Sequence, residues 1–288
     1  MIVAIASGKG GTGKTTVAAS LAAVWPRPVV AVDLDVEEPN LDLFLAPRIE
    51  SIEHAWLEIP VPDPVRCTLY GACTELCQFK ALGILGGRLV VFPEMCHGCG
   101  GCLGICEHQA LSSGKRELGS VESGMAGDAH FLMGRLRVGE AMSPPLMREV
   151  LRRLFALLGK GPCDAIIDAP PGVSCPAMTA VAESDCIVLV AEPTPFGFHD
   201  FALAVEAFTP LCKPMAVVVN RAGLGDDSVE KLCRDKGLPV LAHIPFERDI
   251  AQRYSRGEVI AHASERLGEI FVSLAASIPA LAEEQSHA

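Results

Sequence analysis

No apolar run in the 288 residues is long enough to cross a bilayer. The chain opens on Ile2-Val3-Ala4-Ile5-Ala6, a core-strand pattern, without the charged region and cleavage site of a signal peptide. No signal peptide is expected, and the expected location is the cytoplasm. Clusters of Lys and Arg are missing too. The formal net charge is −11, with 24 Lys and Arg against 35 Asp and Glu, so a basic face that grips nucleic acid is not expected. The last helical pattern, about 262–284, carries Glu283 and Glu284 where a membrane-targeting tail would be basic, which argues against membrane binding.

Apolar residues and cysteine are plentiful. Half of the residues are hydrophobic, enough for a sizeable core, and the length suits one large α/β domain with or without an insertion. Twelve cysteines in a chain with no secretion signal point to metal binding before disulfides.

The stretch Ser7 to Thr16 follows the first strand pattern and precedes a helical one, Val17 to Val24. Gly8 through Thr15 fit G-x-x-x-x-G-K-[ST], the phosphate loop. Gly8, Gly10, Gly11 and Gly13 let the backbone curl around one centre, with Thr12 and Thr16 completing the loop. The helix start adds a positive end for phosphate. Lys14 would neutralise β- and γ-phosphate charge, and the Thr15 hydroxyl would ligate Mg²⁺. Two further strand patterns end in carboxylates. Pro28 to Val32 leads to Asp33 and Asp35, and Ala165 to Ile167 leads to Asp168, the Walker B position that holds Mg²⁺. Asp33 suits the capping of a turn as well as a place in the magnesium shell.

From about Ser51 the alternation of strand and helix stops, and Pro60, Pro62 and Pro64 read as a linker. Cys96, Cys99, Cys102 and Cys106 then follow the x₂-x₂-x₃ spacing of bacterial ferredoxins. A zinc ribbon would show two separated C-x₂-C pairs instead. Cys67, Cys73 and Cys77 repeat that frame with Tyr70 where the second cysteine belongs, and Phe79-Lys80-Ala81-Leu82 repeats in His108-Gln109-Ala110-Leu111. In two-cluster ferredoxins the fourth cysteine of each run serves the other cluster. Cys77, Cys96, Cys99 and Cys102 would then hold one [4Fe–4S] cluster. Cys67, Cys73 and Cys106 would form an incomplete second site, either empty or holding a [3Fe–4S] or [4Fe–4S] cluster. The stretch 114–140 reads as a hairpin returning to the main sheet.

The form K-G-G-x-G-K-T-T, from Lys9 to Thr16, resembles the deviant Walker A loop of the MinD/ParA/Mrp family. The run D-x-D-x-x-x-x-N-L at 33–41, the D-x-P-P-G run at 168–172 and the E-P-T-P-F-G-F-H-D loop at 192–200 strengthen the resemblance. The last of these, with the cysteine frame, resembles the subgroup carrying an inserted two-cluster ferredoxin domain. That resemblance implies a doubly wound, mainly parallel α/β sheet at 1–60 and 114–288, interrupted after the second strand by an iron–sulfur insert at 61–113. It implies ATP hydrolysis with Mg²⁺ in a homodimer, or a heterodimer with a similar chain. Lys9 would act in trans on the partner's nucleotide, and Asp35 would orient or deprotonate the attacking water. Gly172 would contact the γ-phosphate through its N–H, Asn220 would read the adenine edge, and Pro245 and Phe246 would line the base pocket. Three outputs follow by resemblance: electron transfer to a redox partner, cluster delivery to an iron–sulfur client, or subcellular positioning.

Overall fold

The structure, a computed structural model, describes residues 1–284, with side chains through Ala282. In chain order its first stretch gives β1 (Ile2–Ala6), α1 (Lys14–Val24), β2 (Val29–Asp33), the short α2 (Leu41–Leu45) and the long β3 (Arg48–Pro62). A lobe follows, with α3 (Ala72–Leu76), β4 (Leu82–Leu85), β5 (Arg88–Val91) and α4 (Gly101–Ile105). The chain returns through β6 (Leu111–Ala126) and β7 (Ala129–Leu136), then α5 (Ser143–Leu158), β8 (Asp164–Asp168), α6 (Cys175–Ala182), β9 (Cys186–Ala191) and α7 (Pro195–Phe208). It closes with β10 (Met215–Ala222), α8 (Ser228–Lys236), β11 (Val240–Pro245), α9 (Arg248–Tyr254) and α10 (Glu265–Glu284).

The main sheet has nine strands in the order β11-β10-β9-β1-β8-β2-β7-β6-β3. From β11 to β7 all neighbours run parallel, while β6 and β3 run antiparallel at one edge. Strands β1, β2, β8 and β9 are buried along their whole length, as near-continuous apolar runs must be when helices cover both faces. The alternation of side chains decides which face each residue serves. Ile2, Ala4 and Ala6 pack toward α5, α6, α7 and α8, whereas Val3 and Ile5 pack toward α1 and α10. On α10, Leu267, Phe271, Leu274 and Ile278 are buried at helical spacing, so this helix covers the core.

The antiparallel edge carries the lobe. Strands β3 and β6 pair from Arg48↔Met125 to Pro62↔Leu111 and project the segment 63–110 from the sheet. Within that segment β4 and β5 form a separate two-stranded sheet, and Leu82, Cys102 and Leu111 make a small apolar cluster of their own. Two expectations are corrected here. Pro60 and Pro62 lie in strand β3, opposite Ser113 and Leu111, and not in a linker. An edge strand tolerates proline because one side of its backbone has no ladder partner. The lobe accordingly departs after the third strand, not the second. The expected hairpin at 114–140 is present as β6 and β7, joined by a turn at 127–128.

Candidate functional site

The phosphate loop leaves the carboxyl end of β1 and enters α1 through Gly13. Its φ of +96° is a left-handed conformation that a side chain would strain, and a Cβ there would meet Asn220 Nδ2 at 2.3 Å. Three loop carbonyls are held from outside. The Ser7 hydroxyl donates to Lys9 O at 2.7 Å, Arg221 Nη2 donates to Gly11 O at 3.0 Å, and Asn220 Nδ2 donates to Thr12 O at 2.7 Å. In a trans peptide, turning a carbonyl outward turns the neighbouring N–H inward, which makes an anion cradle. A cavity of about 720 Å³ opens there, lined by Gly10, Gly11, Gly13, Lys14, Thr15 and Thr16. Asp35, Asn220, Pro245 and Phe246 lie on its other walls.

The carboxylates meet at the floor. Thr15 Oγ1 donates to Asp168 Oδ2 at 2.5 Å, and the buried Lys14 Nζ lies 3.7 Å from Oδ1. Asp168 Oδ1 is buried with no hydrogen-bond partner. Burial pushes the Asp168 carboxyl above its ordinary value, with Lys14 and the Thr15 hydroxyl pulling it back. Asp35 is pushed up to about 6, first by burial, with Lys14 opposing and the Asp168 charge adding. Asp33 is raised well above its ordinary value by burial and then by Asp168. Crowded carboxylates, an orphaned buried oxygen and an adjacent threonine hydroxyl are the donor set that fits a hard dication. Asp33 spends its carboxylate on the loop after β2: Oδ1 accepts from Asp35 N at 3.0 Å, and Oδ2 accepts from Asn40 N and Leu41 N, each at 2.9 Å. Its visible role is to cap that turn.

In the lobe the sequence repeat is a structural repeat. Gly71 and Gly100, both left-handed, open α3 and α4. Leu69 (φ +58°) and Gly98 (φ +66°) match, as do Lys80 (φ +54°) and Gln109 (φ +48°). Ala81 N donates to Cys77 Sγ and Ala110 N to Cys106 Sγ, each at 3.3 Å, and Gly98 N donates to Cys96 Sγ at 3.5 Å. Cys77, Cys96, Cys99 and Cys102 line one cavity of about 230 Å³. Cys67, Cys73 and Cys106, with Tyr70, line a second of about 30 Å³. All seven thiols are free. Among the described residues no three His, Cys, Asp or Glu side chains converge closely enough for a single metal ion.

Residues 3–260 match the family of CobQ/CobB/MinD/ParA nucleotide binding domains. The chain belongs to that family. It is a P-loop ATPase. Over 278 residues it is 30% identical to MJ0578, an uncharacterized protein of Methanocaldococcus jannaschii, covering 93% of each chain. The Pyrococcus furiosus cell division ATPase MinD shares its fold, with a TM-score of 0.59 at 22% identity over 97% of this chain and 98% of that one. MinD of Pyrococcus horikoshii, solved with Mg-ADP, has a TM-score of 0.58 at 20% identity over 96% and 95%.

Within this family frame, not every expected residue sits in its expected posture. Gly172 donates its N–H to Ser7 O at 2.9 Å, not into the cavity, and Pro171 lines the wall there instead. Asn220 faces the cavity but directs its amide nitrogen to the loop carbonyl of Thr12. Gly8 is packed against α7, where a Cβ would lie 1.9 Å from Asp200 O. Lys9 is half-buried, and among the described residues its ammonium has no hydrogen-bond or ion-pair partner. Sequence reasoning missed Arg221 and Glu192, joined at 3.0 Å. It also missed Arg116, buried and paired with Glu140 at the root of the lobe. The signals for the first pair were the adjacency of Arg221 to Asn220 at a strand end and the place of Glu192 at the head of the E-P-T loop.

Proposed function

We propose that this ATPase couples nucleotide-driven closure of a dimer to electron transfer through iron–sulfur clusters held in the lobe. The carrying observation is the crossed partition of the cysteines, in which Cys77 joins Cys96, Cys99 and Cys102 around one cavity and Cys106 joins Cys67 and Cys73 around the other. Spaced thiols ringing a cavity suit a cluster, whose irons each take a separate thiolate, better than one ion. The N–H groups of Gly98, Ala81 and Ala110, already aimed at cysteine sulfur, suit its charge. A [4Fe–4S] cluster, when bound, supplies one-electron redox chemistry. The second cavity, with three thiols and an exposed Tyr70, has room for a [3Fe–4S] or [4Fe–4S] cluster only after expansion.

On the nucleotide side, Lys14 and the loop N–H groups bind phosphate, and Thr15 and Asp168 hold Mg²⁺. Asp35, raised toward neutrality and lining the cavity, orients or deprotonates the attacking water. Lys9, without a partner among the described residues of its own chain, is supplied across a homodimer or a dimer with a similar chain. Asn220, Pro245 and Phe246 form the base wall. The loop after β2 is tied by named bonds to the part of the ATPase body that leads to the lobe. Leu136 N donates to Val36 O at 2.9 Å, and Ser143 Oγ donates to Glu37 Oε1 at 2.8 Å, both just past Asp35. From there Glu140, Arg116 and Arg137 lead to Glu94, two residues before Cys96.

Two other readings have support. Three thiolates release a cluster more readily than four, which favours delivery to an iron–sulfur client. Family membership and the MinD fold also accommodate a positioning ATPase whose lobe is structural. Iron and sulfide analysis with electron paramagnetic resonance on anaerobically prepared protein tests the core of the proposal, and iron-free or zinc-loaded protein would remove it. Adding an apo-acceptor and a chelator then separates the outputs. Retained clusters that change oxidation state with ATP turnover support electron transfer. ATP-stimulated iron loss to the acceptor supports delivery.

A further inference from the structure

The loop Glu192-Pro193-Thr194 follows β9 without contributing to phosphate, metal or base, yet it is built tightly. Glu192 is buried, and its two oxygens have different partners. Oε1 accepts from Thr194 Oγ1 at 3.1 Å, and Oε2 accepts from Arg221 Nη1 at 3.0 Å. Thr194 Oγ1 in turn accepts from Gly197 N and so caps α7. The other guanidinium nitrogen of Arg221 donates to Gly11 O at the tip of the phosphate loop. Arg221 itself is left-handed, at φ +54°, a conformation that persists in a non-glycine residue only where the surroundings enforce it. The enforcement is visible at Gly225, where a Cβ would lie 1.3 Å from Pro193 O, so the loop after β10 is pressed onto the Glu192 loop.

We infer that Glu192 and Arg221 are positioning residues that fix the tip of the phosphate loop, residues 9–11, so that Lys9 projects toward the partner's nucleotide. The inference rests on the trans role proposed for Lys9. A guanidinium grips two acceptors at fixed angles, here one carboxylate and one peptide carbonyl, which a lysine ammonium on a flexible stem does not reproduce. The carboxylate is buried and anchored on the side away from the cavity, so the tip is referenced to α7 and β10. Two residues beyond Lys9, that restraint sets where the ammonium goes; Arg221 also lines the nucleotide cavity, whereas Glu192 does not, so the Glu192 variant isolates the restraint.

The test uses Glu192→Gln, Arg221→Lys, Lys9→Ala and the double variant Lys9→Ala/Glu192→Gln in the full chain. Turnover is measured against protein concentration, and MgATP affinity is measured separately. Misplacement of a catalytic group by about 1 Å costs about 10²-fold in rate, so the first two variants are expected to lose about that factor in kcat, while the MgATP Kd of Glu192→Gln, which leaves the cavity lining intact, stays within about threefold. The double variant is expected to turn over no more slowly than Lys9→Ala alone, because both changes disable one element. The inference is overturned if Glu192→Gln and Arg221→Lys turn over like the wild type while Lys9→Ala is inactive. It is also overturned if the MgATP affinity of Glu192→Gln falls by the same factor as its turnover, which would mark a merely structural role. Normal turnover of Lys9→Ala itself would remove the trans role, and this inference with it.

Discussion

Replacing Glu140 by Gln tests the buried pair that braces the antiparallel edge beneath the lobe. The Glu140 side chain is 2% exposed and the Arg116 side chain 6% exposed, and the two form an ion pair. Arg116 Nε and Nη2 have no other partner, and its remaining ion pair goes to Glu94, 66% exposed, at 3.0 Å. Breaking a buried pair from one side typically costs about 3–5 kcal/mol, because a charge is left in a poorly solvated site. Two things reduce that here. A glutamine carbonyl can still accept from Ala141 N and Met142 N, as Glu140 Oε1 does at 3.1 and 3.0 Å. Glu94 also stays as a partner, although an exposed pair contributes only about 0–1 kcal/mol. The expected loss is therefore about 2–4 kcal/mol. For a chain of this size that corresponds to a fall in Tm of roughly 5–15 °C. Urea unfolding and calorimetry measure it, with Glu94→Gln as the control expected to lose less than about 1 kcal/mol. A loss below about 1 kcal/mol for Glu140→Gln would refute the reasoning that a buried charge pair braces the edge carrying the lobe.

Lys9→Ala is expected to keep its stability within about 0.5 kcal/mol, because the ammonium has no partner among the described residues of its own chain. It should also keep MgATP binding by calorimetry while losing about 10³-fold or more in turnover, the scale of a charge supplied in trans. Gly13→Ala should weaken nucleotide binding about 10²-fold by equilibrium titration, since a Cβ at φ +96° also displaces Asn220 Nδ2 from the loop. Cys99→Ser should abolish the paramagnetic signal of the complete site while MgATP affinity is kept, because the lobe has an apolar cluster separate from the sheet.

The phosphate loop and its strand were legible because a local motif dictates them: five buried apolar residues, then glycines, then a helix start. The cysteine frame was legible for the same reason, and even the Tyr70 gap was, since Leu69 and Gly98 hold matching backbone conformations. Strand β3 was not legible. Its prolines signal a break when read locally, and only pairing with β6, some fifty residues away, makes Pro60 and Pro62 strand residues. Helix α7 starts at Pro195, where proline at the first helical position and the Thr194 cap set it. Arg221 and Gly11 stand 210 residues apart, and Arg116 and Glu140 meet across a hairpin. Long-range polar pairs of this kind leave no periodic trace in the sequence.

The central claim is that the nucleotide site and the cysteine lobe form one device. The most direct test is a potentiometric titration followed by electron paramagnetic resonance on anaerobic protein, with and without MgATP, in the wild type and in Lys9→Ala. The account predicts a cluster signal whose midpoint potential shifts on MgATP addition in the wild type and stays in place in Lys9→Ala. A cluster with the same midpoint in all four samples, or a protein without iron, would contradict it.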